Sequence, residues 1–149
     1  MRLSIDSNIL IYAYDRTAGR RHSEATRLMA RAALGDCIVT LQCLAEFVHV
    51  TSRKRKLSLA EAASVVSNLR LTFAVVAASV DALEAAIAAT RSHRLSFWDA
   101  MLWATVRRAG CELLLTEDMQ DGRRLGGVTF VNPFDPRNHA LLERALPSI

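Results

Sequence analysis

Five short apolar runs limit what this chain can fold into. The stretch from Arg2 to Ile5, "CIVT" at 37–40, "FAVVA" at 73–77, "ELLLT" at 112–116 and "VTFVN" at 128–132 are too unbroken for a sheet with one wet face. Strands buried on both faces need helices on both faces, and the segments between these runs supply them. Periodicity and punctuation predict a helix from about Ser7, another from about His22 to Leu34 ended by Gly35, and a third over Leu41 to Arg53. Ser58, with Glu61 three residues on, opens a fourth through a capping box. Further helices are predicted over Val80 to Arg91 and from Ser96 through Arg108, the latter ended by Gly110, with a short closing helix around Leu141, Leu142 and Leu146. The expected fold is an α/β domain with a mostly parallel central sheet, spanning 1–149 as one unit.

Composition narrows the setting. The chain of 149 residues is 51% hydrophobic and 23% charged, the profile of a globular protein with no apolar run of bilayer length. Asp6 and Asp15 bracket the only N-terminal apolar run, which does not read as a secretion signal, so a cytoplasmic address and no membrane partner are expected. Cys37, Cys43 and Cys111 form no CxxC pair and are expected in the core. The net charge is +4, and 17 of the 19 basic residues are arginines, whose planar fork suits phosphate.

Open parallel sheets bind ligands beyond the carboxyl ends of their strands. Four acids fall there. Asp6 follows the first strand and Asp118 the fourth; Glu46 lies early in the helix after "CIVT", and Asp99 in the first turn of the helix that runs back into "ELLLT". Each has a structural explanation on its own. Asp6 suits an N-cap, Asp99 the third position of a capping box after Ser96, Glu46 a solvated helix face and Asp118 a turn. Together they would repel unless a cation held them, and a hard divalent ion such as Mg2+ or Mn2+ takes oxygen ligands of this kind.

The stretches "SIDSNILIYAYD", "LQCLAEFVHV", "LSFWDAMLWATVRRAGCELLLTEDM" and "GVTFVNPF" resemble, in order and spacing, the blocks of the PIN domain as found in VapC-type toxin ribonucleases. The resemblance implies a three-layer α/β/α fold with a five-stranded parallel sheet, and metal-dependent hydrolysis of RNA. It assigns Asp6, Glu46, Asp99 and Asp118 as catalytic and metal-holding acids, with Mg2+ as cofactor and Mn2+ able to substitute. Thr116 and Asn8 are then the residues that orient carboxylates. Many relatives carry a further acid two residues after the last Asp; here that place is Gln120, so both Asp118 and Asp121 stay open as the additional ligand. The resemblance also implies an RNA substrate, a small VapB-like antitoxin as cognate partner, and a homodimer.

Other features carry two readings each. Arg53, Lys54, Arg55 and Lys56 track an RNA backbone or form a solvated helix end, and Arg123 and Arg124 sit close to the expected site. Trp98 and Trp103 fit core or interface packing on an amphipathic helix, and Glu117 is expected to face solvent. Gly122, Gly126 and Gly127 make no P-loop, since no GK[ST] follows. The competing functions are a PIN-fold RNA-processing or nucleic-acid-binding protein outside toxin-antitoxin systems, and a noncatalytic receiver-like signalling domain. The latter needs a lysine after the last strand, where this chain has none.

Overall fold

The computed structural model describes residues 1–54 and 56–149. In chain order the elements are β1 (Leu3–Ile5), α1 (Ser7–Tyr14), α2 (Arg20–Ala32), β2 (Cys37–Thr40), α3 (Leu41–Arg53), α4 (Leu59–Thr72) and β3 (Ala74–Val76). They continue with α5 (Val80–His93), α6 (Phe97–Arg108), β4 (Leu113–Leu115), β5 (Arg124–Leu125), β6 (Val128–Val131) and α7 (His139–Ala145). The strands lie in the order β3-β2-β1-β4-β6-β5. The pairs β1–β2, β1–β4, β2–β3 and β4–β6 are parallel, with Ile5 opposite Leu115 and Thr40 opposite Val76.

Right-handed crossovers put α1 to α4 on one face, on the path from β1 through β2 to β3, and α5 and α6 on the other, on the path back to β4. The packing agrees: α1 meets α2 and α3, α3 meets α4, and α5 meets α6, which lies over β2 and β6. Ile5, Ile9, Leu10, Phe47, Leu114, Leu115 and Phe130 fill the core between these layers. All three cysteines are buried and free, as expected of core residues. At α4 the capping box closes in both directions: the Glu61 N–H donates to Ser58 Oγ at 3.1 Å, and the Ser58 N–H to Glu61 Oε2 at 2.7 Å.

The sheet has one strand more than the expected five. The extra one, β5, is antiparallel to β6 and only two residues long. Its cause is the pair Gly126 and Gly127, with φ of 55° and 92°, a two-residue hairpin turn that needs positive φ at both positions. The hairpin is seated on α6, where Trp103 Nε1 donates to the Leu125 carbonyl at 3.0 Å. A Cβ on Gly126 would stand 2.8 Å from Arg107 Nε and 3.1 Å from Trp103 Cζ2, whereas one on Gly127 meets nothing within 4 Å. Gly126→Ala should therefore cost about 1–2 kcal/mol for the left-handed backbone, plus the displacement of Arg107. Its Tm should fall by roughly 2–8 °C in a thermal melt, and further than that of Gly127→Ala. Equal losses would show that contact with α6 does not matter.

The sheet order has a functional consequence. From β1 the chain moves outward to β2, and it returns from β3 to lie on the other side of β1 as β4. That reversal opens a crevice at the carboxyl ends of β1 and β4.

Candidate functional site

Asp6 stands at the mouth of this crevice, where β1 ends. It is the N-cap of α1, with Oδ1 accepting from the Ser7 N–H at 2.7 Å. A cap uses one oxygen. The other, Oδ2, accepts from Thr116 Oγ1 at 2.7 Å, directly after β4. The Thr116 hydroxyl in turn accepts from the Asp118 N–H at 3.1 Å, and Asn8 Nδ2 donates to Asp118 Oδ2 at 2.9 Å. One buried threonine and one asparagine thus fix Asp6 and Asp118 relative to each other across the switch point.

Glu46 comes in from α3. Its Oε2 accepts from Ser7 Oγ at 2.6 Å, and the same hydroxyl lies 3.4 Å from Asp6 Oδ1, so Ser7 bridges the two carboxylates. Gln42 Nε2 donates both to Glu46 Oε1 at 2.9 Å and to the Trp98 carbonyl at 3.0 Å, tying the start of α3 to the start of α6. Asp99 is on that first turn of α6, its N–H donating to Ser96 Oγ at 3.2 Å. Asp99 and Asp118 line one cavity of about 470 Å3 with Arg94 and Arg123.

Electrostatics ties the four together. The Asp6 carboxyl is pushed up from 3.8 to about 6, chiefly by burial and further by the charges of Asp118 and Glu46, against the lowering effect of its bonds to Thr116 and Ser7. Asp99 is likewise raised, first by burial and then by the same two neighbours. Among the described residues none of the four makes an ion pair, although Asp15, Asp36, Asp81, Glu117 and Glu143 each do. In a chain of net charge +4, all four acids of this crevice lack a cation within 4.0 Å among the described residues.

As the side chains are set, no group of three or more His, Cys, Asp or Glu among the described residues stands in place to hold a metal ion. The chemistry of the site nevertheless fits one. Every candidate ligand is an oxygen, and Asn8 Oδ1 is a buried acceptor with no hydrogen-bond partner, so acceptors exceed donors. A hard ion such as Mg2+ keeps several waters and takes only one or two carboxylates directly, which does not require three in contact. Asp6 and Glu46, pinned through Ser7, and Asp99 and Asp118, lining one cavity, are the residues that would hold it.

The remaining residues singled out in the sequence lie as follows. The Asp121 carboxylate is engaged elsewhere: its Oδ1 accepts from the Asn132 N–H at 2.7 Å and from Asn138 Nδ2 at 2.8 Å, joining the loop before β5 to the segment after β6. Glu117 is not solvent-facing, since it accepts from the Tyr12 hydroxyl and pairs with Arg21 at 3.3 Å. Arg53 ends α3, seven residues beyond Glu46 and so about 10 Å further along the helix axis. Lys54 follows it, exposed, and Lys56 pairs with Asp15 at 3.2 Å; Arg55 lies outside the described residues. Arg124 is exposed on β5, and Arg123 borders the cavity. Trp103 is core, while Trp98 is 62% exposed. Ser7 was missed by sequence reasoning; its signal was a hydroxyl next to Asp6 on the first turn of α1.

Comparison with curated proteins finds no match. Among solved structures the chain is similar to VapC20 of Mycobacterium tuberculosis, described as a sarcin-ricin loop cleaving toxin. The TM-score is 0.64 at 22% identity over 78% of this chain and 91% of that one. It is similar to a toxin-antitoxin complex from Klebsiella pneumoniae, with TM-score 0.64 and 26% identity over 91% of this chain and 99% of that one. It also resembles VapBC2 of Rickettsia felis, solved bound to a DNA fragment from its promoter, with TM-score 0.64 and 12% identity over 87% and 97% of the two chains. The family model of the PIN domain matches residues 3–123, which takes in all four acids, and the chain belongs to the PIN domain family.

Proposed function

We propose that this protein is a metal-dependent ribonuclease that hydrolyses RNA phosphodiester bonds, and that it is the toxin of a toxin-antitoxin pair. One observation carries the chemistry: among the described residues, four carboxylates at the switch-point crevice have no cation partner in a chain rich in arginine. The family supports nuclease activity, and the toxin-antitoxin complex at 26% identity supports the pairing with a VapB-like antitoxin. Among the described residues no helix is long and apolar enough to cross a membrane. Action on RNA in the cytoplasm, as a homodimer, belongs to the same proposal.

Asp6, Glu46, Asp99 and Asp118 would hold Mg2+, with Mn2+ able to substitute. Such an ion lowers the pKa of water near neutral pH and shields phosphate oxygens. The chain's own groups do the positioning. Thr116 and Ser7 fix the two oxygens of the Asp6 carboxylate and favour its ionised form, Ser7 and Gln42 fix both oxygens of Glu46, and Asn8 fixes Asp118. No step needs a covalent enzyme intermediate. Asp121, held by Asn132 and Asn138, would support the site through the loop it closes.

Purified protein freed of any antitoxin is expected to cut RNA with Mg2+ or Mn2+, to stop in EDTA and to resume when the ion is restored. Undiminished cleavage in EDTA, with contaminating nuclease excluded by an inactive variant purified in parallel, would remove the metal-dependent reading.

A further inference from the structure

The cavity that holds Asp99 and Asp118 is also lined by His93, Arg94 and Arg123, from the end of α5 and the loop before β5. Arg123 Nη2 donates to the His93 carbonyl at 2.9 Å, which anchors the guanidinium at the α5 terminus and uses one of its five N–H donors. Among the described residues neither Arg94 nor Arg123 has a carboxylate within 4.0 Å, whereas Arg2, Arg21, Arg31, Arg108 and Arg137 all do.

Arg94 also breaks a local rule. It is the C-cap of α5 with φ 55° and ψ 36°, and among the described residues it is the one non-glycine with positive φ. Glycine or asparagine is the preferred residue in this left-handed position, because a Cβ there is strained. The turn folds α5 back onto α6 and delivers Arg94 to the same cavity as Asp99, five residues on. A cation near the helix C-terminus is favourable, but that preference is met by Arg91 and His93 within the last turn and does not call for the strained position.

We propose that Arg94 and Arg123 form a phosphate subsite that binds the single-stranded RNA backbone next to the phosphate being cut. The inference rests on the ribonuclease reading and extends it. A cavity lined by both carboxylates and guanidiniums that do not pair with each other suits a polyanion in which one phosphate meets the acids through a cation and a neighbouring one meets the arginines. A peptide carboxylate would satisfy the arginines alone. Arginine's planar fork matches phosphate oxygens in pairs, and such contacts position a strand without reading its sequence.

The test uses the full chain as wild type, Arg94→Gly, Arg123→Gln and, as a remote control, the exposed Arg70→Ser. Binding of a short fluorescent single-stranded RNA is measured in EDTA across a salt series, and KM for its cleavage in Mg2+. Arg94→Gly and Arg123→Gln should each weaken binding and raise KM by roughly 3- to 10-fold, and each should reduce the salt slope by about 0.7, the share of one neutralised phosphate on a single strand. Arg70→Ser should match wild type. Arg94→Gly should melt no lower than wild type, since glycine relieves the left-handed strain. That combination, a fold kept or strengthened and RNA held less well, is one a purely structural arginine would not give. If wild type binds and cuts RNA while both variants keep its affinity, slope and KM, the subsite is refuted and the ribonuclease reading stands. If wild type neither binds nor cuts RNA, both fall together.

Discussion

Asp6→Asn is expected to abolish RNA cleavage while leaving the metal-free fold at least as stable as wild type. Loss of an outer partner of a metal ligand costs about 10- to 100-fold in activity, so loss of the ligand's charge should exceed that. The stability follows from burial. The rise of the Asp6 carboxyl from 3.8 to about 6 means that the ionised form opposes folding by about 3 kcal/mol. Between about pH 4 and 6 the folded chain holds a proton on Asp6 that the unfolded chain has released, so stability falls as pH rises through that window. Asparagine keeps the carbonyl that caps α1 through the Ser7 N–H and does not titrate. The Tm of the variant should therefore equal or exceed that of wild type at pH 7, with the difference closing towards pH 4. A variant that still cuts RNA, or whose deficit in stability grows with pH, would contradict this account of Asp6.

Arg31→Ala is expected to be strongly destabilising although it removes a charged side chain outside the sheet. Arg31 is buried on α2 and holds the C-terminal segment: its Nε donates to the Pro147 carbonyl at 2.8 Å, and Nη2 to the Leu146 and Leu142 carbonyls at 3.0 and 3.3 Å. Nη1 pairs with Glu143 at 2.6 Å. Truncation leaves the Leu146 and Pro147 carbonyls without the Arg31 donor and removes the ion pair with Glu143, a loss of about 2–4 kcal/mol. The corresponding fall in Tm is roughly 4–16 °C. Lysine lacks the planar fork that reaches several carbonyls at once, so Arg31→Lys should recover little of it. Thermal melts of the two variants check this; a lysine variant as stable as wild type would mean that charge alone, not the fork, holds α7.

What was legible in the sequence was whatever follows from local pattern. The unbroken apolar runs mark the parallel strands, local pattern gives the bounds of α3 at Leu41–Arg53, and the Ser58–Glu61 spacing gives the capping box of α4. Acids at strand-to-helix junctions pointed to the switch-point crevice, around which Asp6, Glu46, Asp99 and Asp118 are placed. Long-range side-chain choices stayed hidden. Nothing local tells that Glu117 will find Tyr12 and Arg21, that Asp121 will turn to Asn132 and Asn138, or that Arg31 will reach residues more than a hundred positions away. Two local signals were present but unused. The Gly-Gly pair before "VTFV" is a hairpin turn and accounts for the added antiparallel strand, and Ser7 beside Asp6 is a hydroxyl able to bridge two acids.

The central claim is that these four carboxylates are there to hold a divalent ion, and a matched set of melting curves tests it most directly. Wild type and Asp6→Asn are melted at pH 7 with EDTA and with saturating Mg2+. An ion at 100 times its dissociation constant adds about 2.7 kcal/mol to the folded state, a rise in wild-type Tm of roughly 5–11 °C. The account predicts that rise for wild type and a much smaller one for Asp6→Asn. Equal responses in the two proteins would contradict it and would leave Asp6 as the cap of α1 and nothing more.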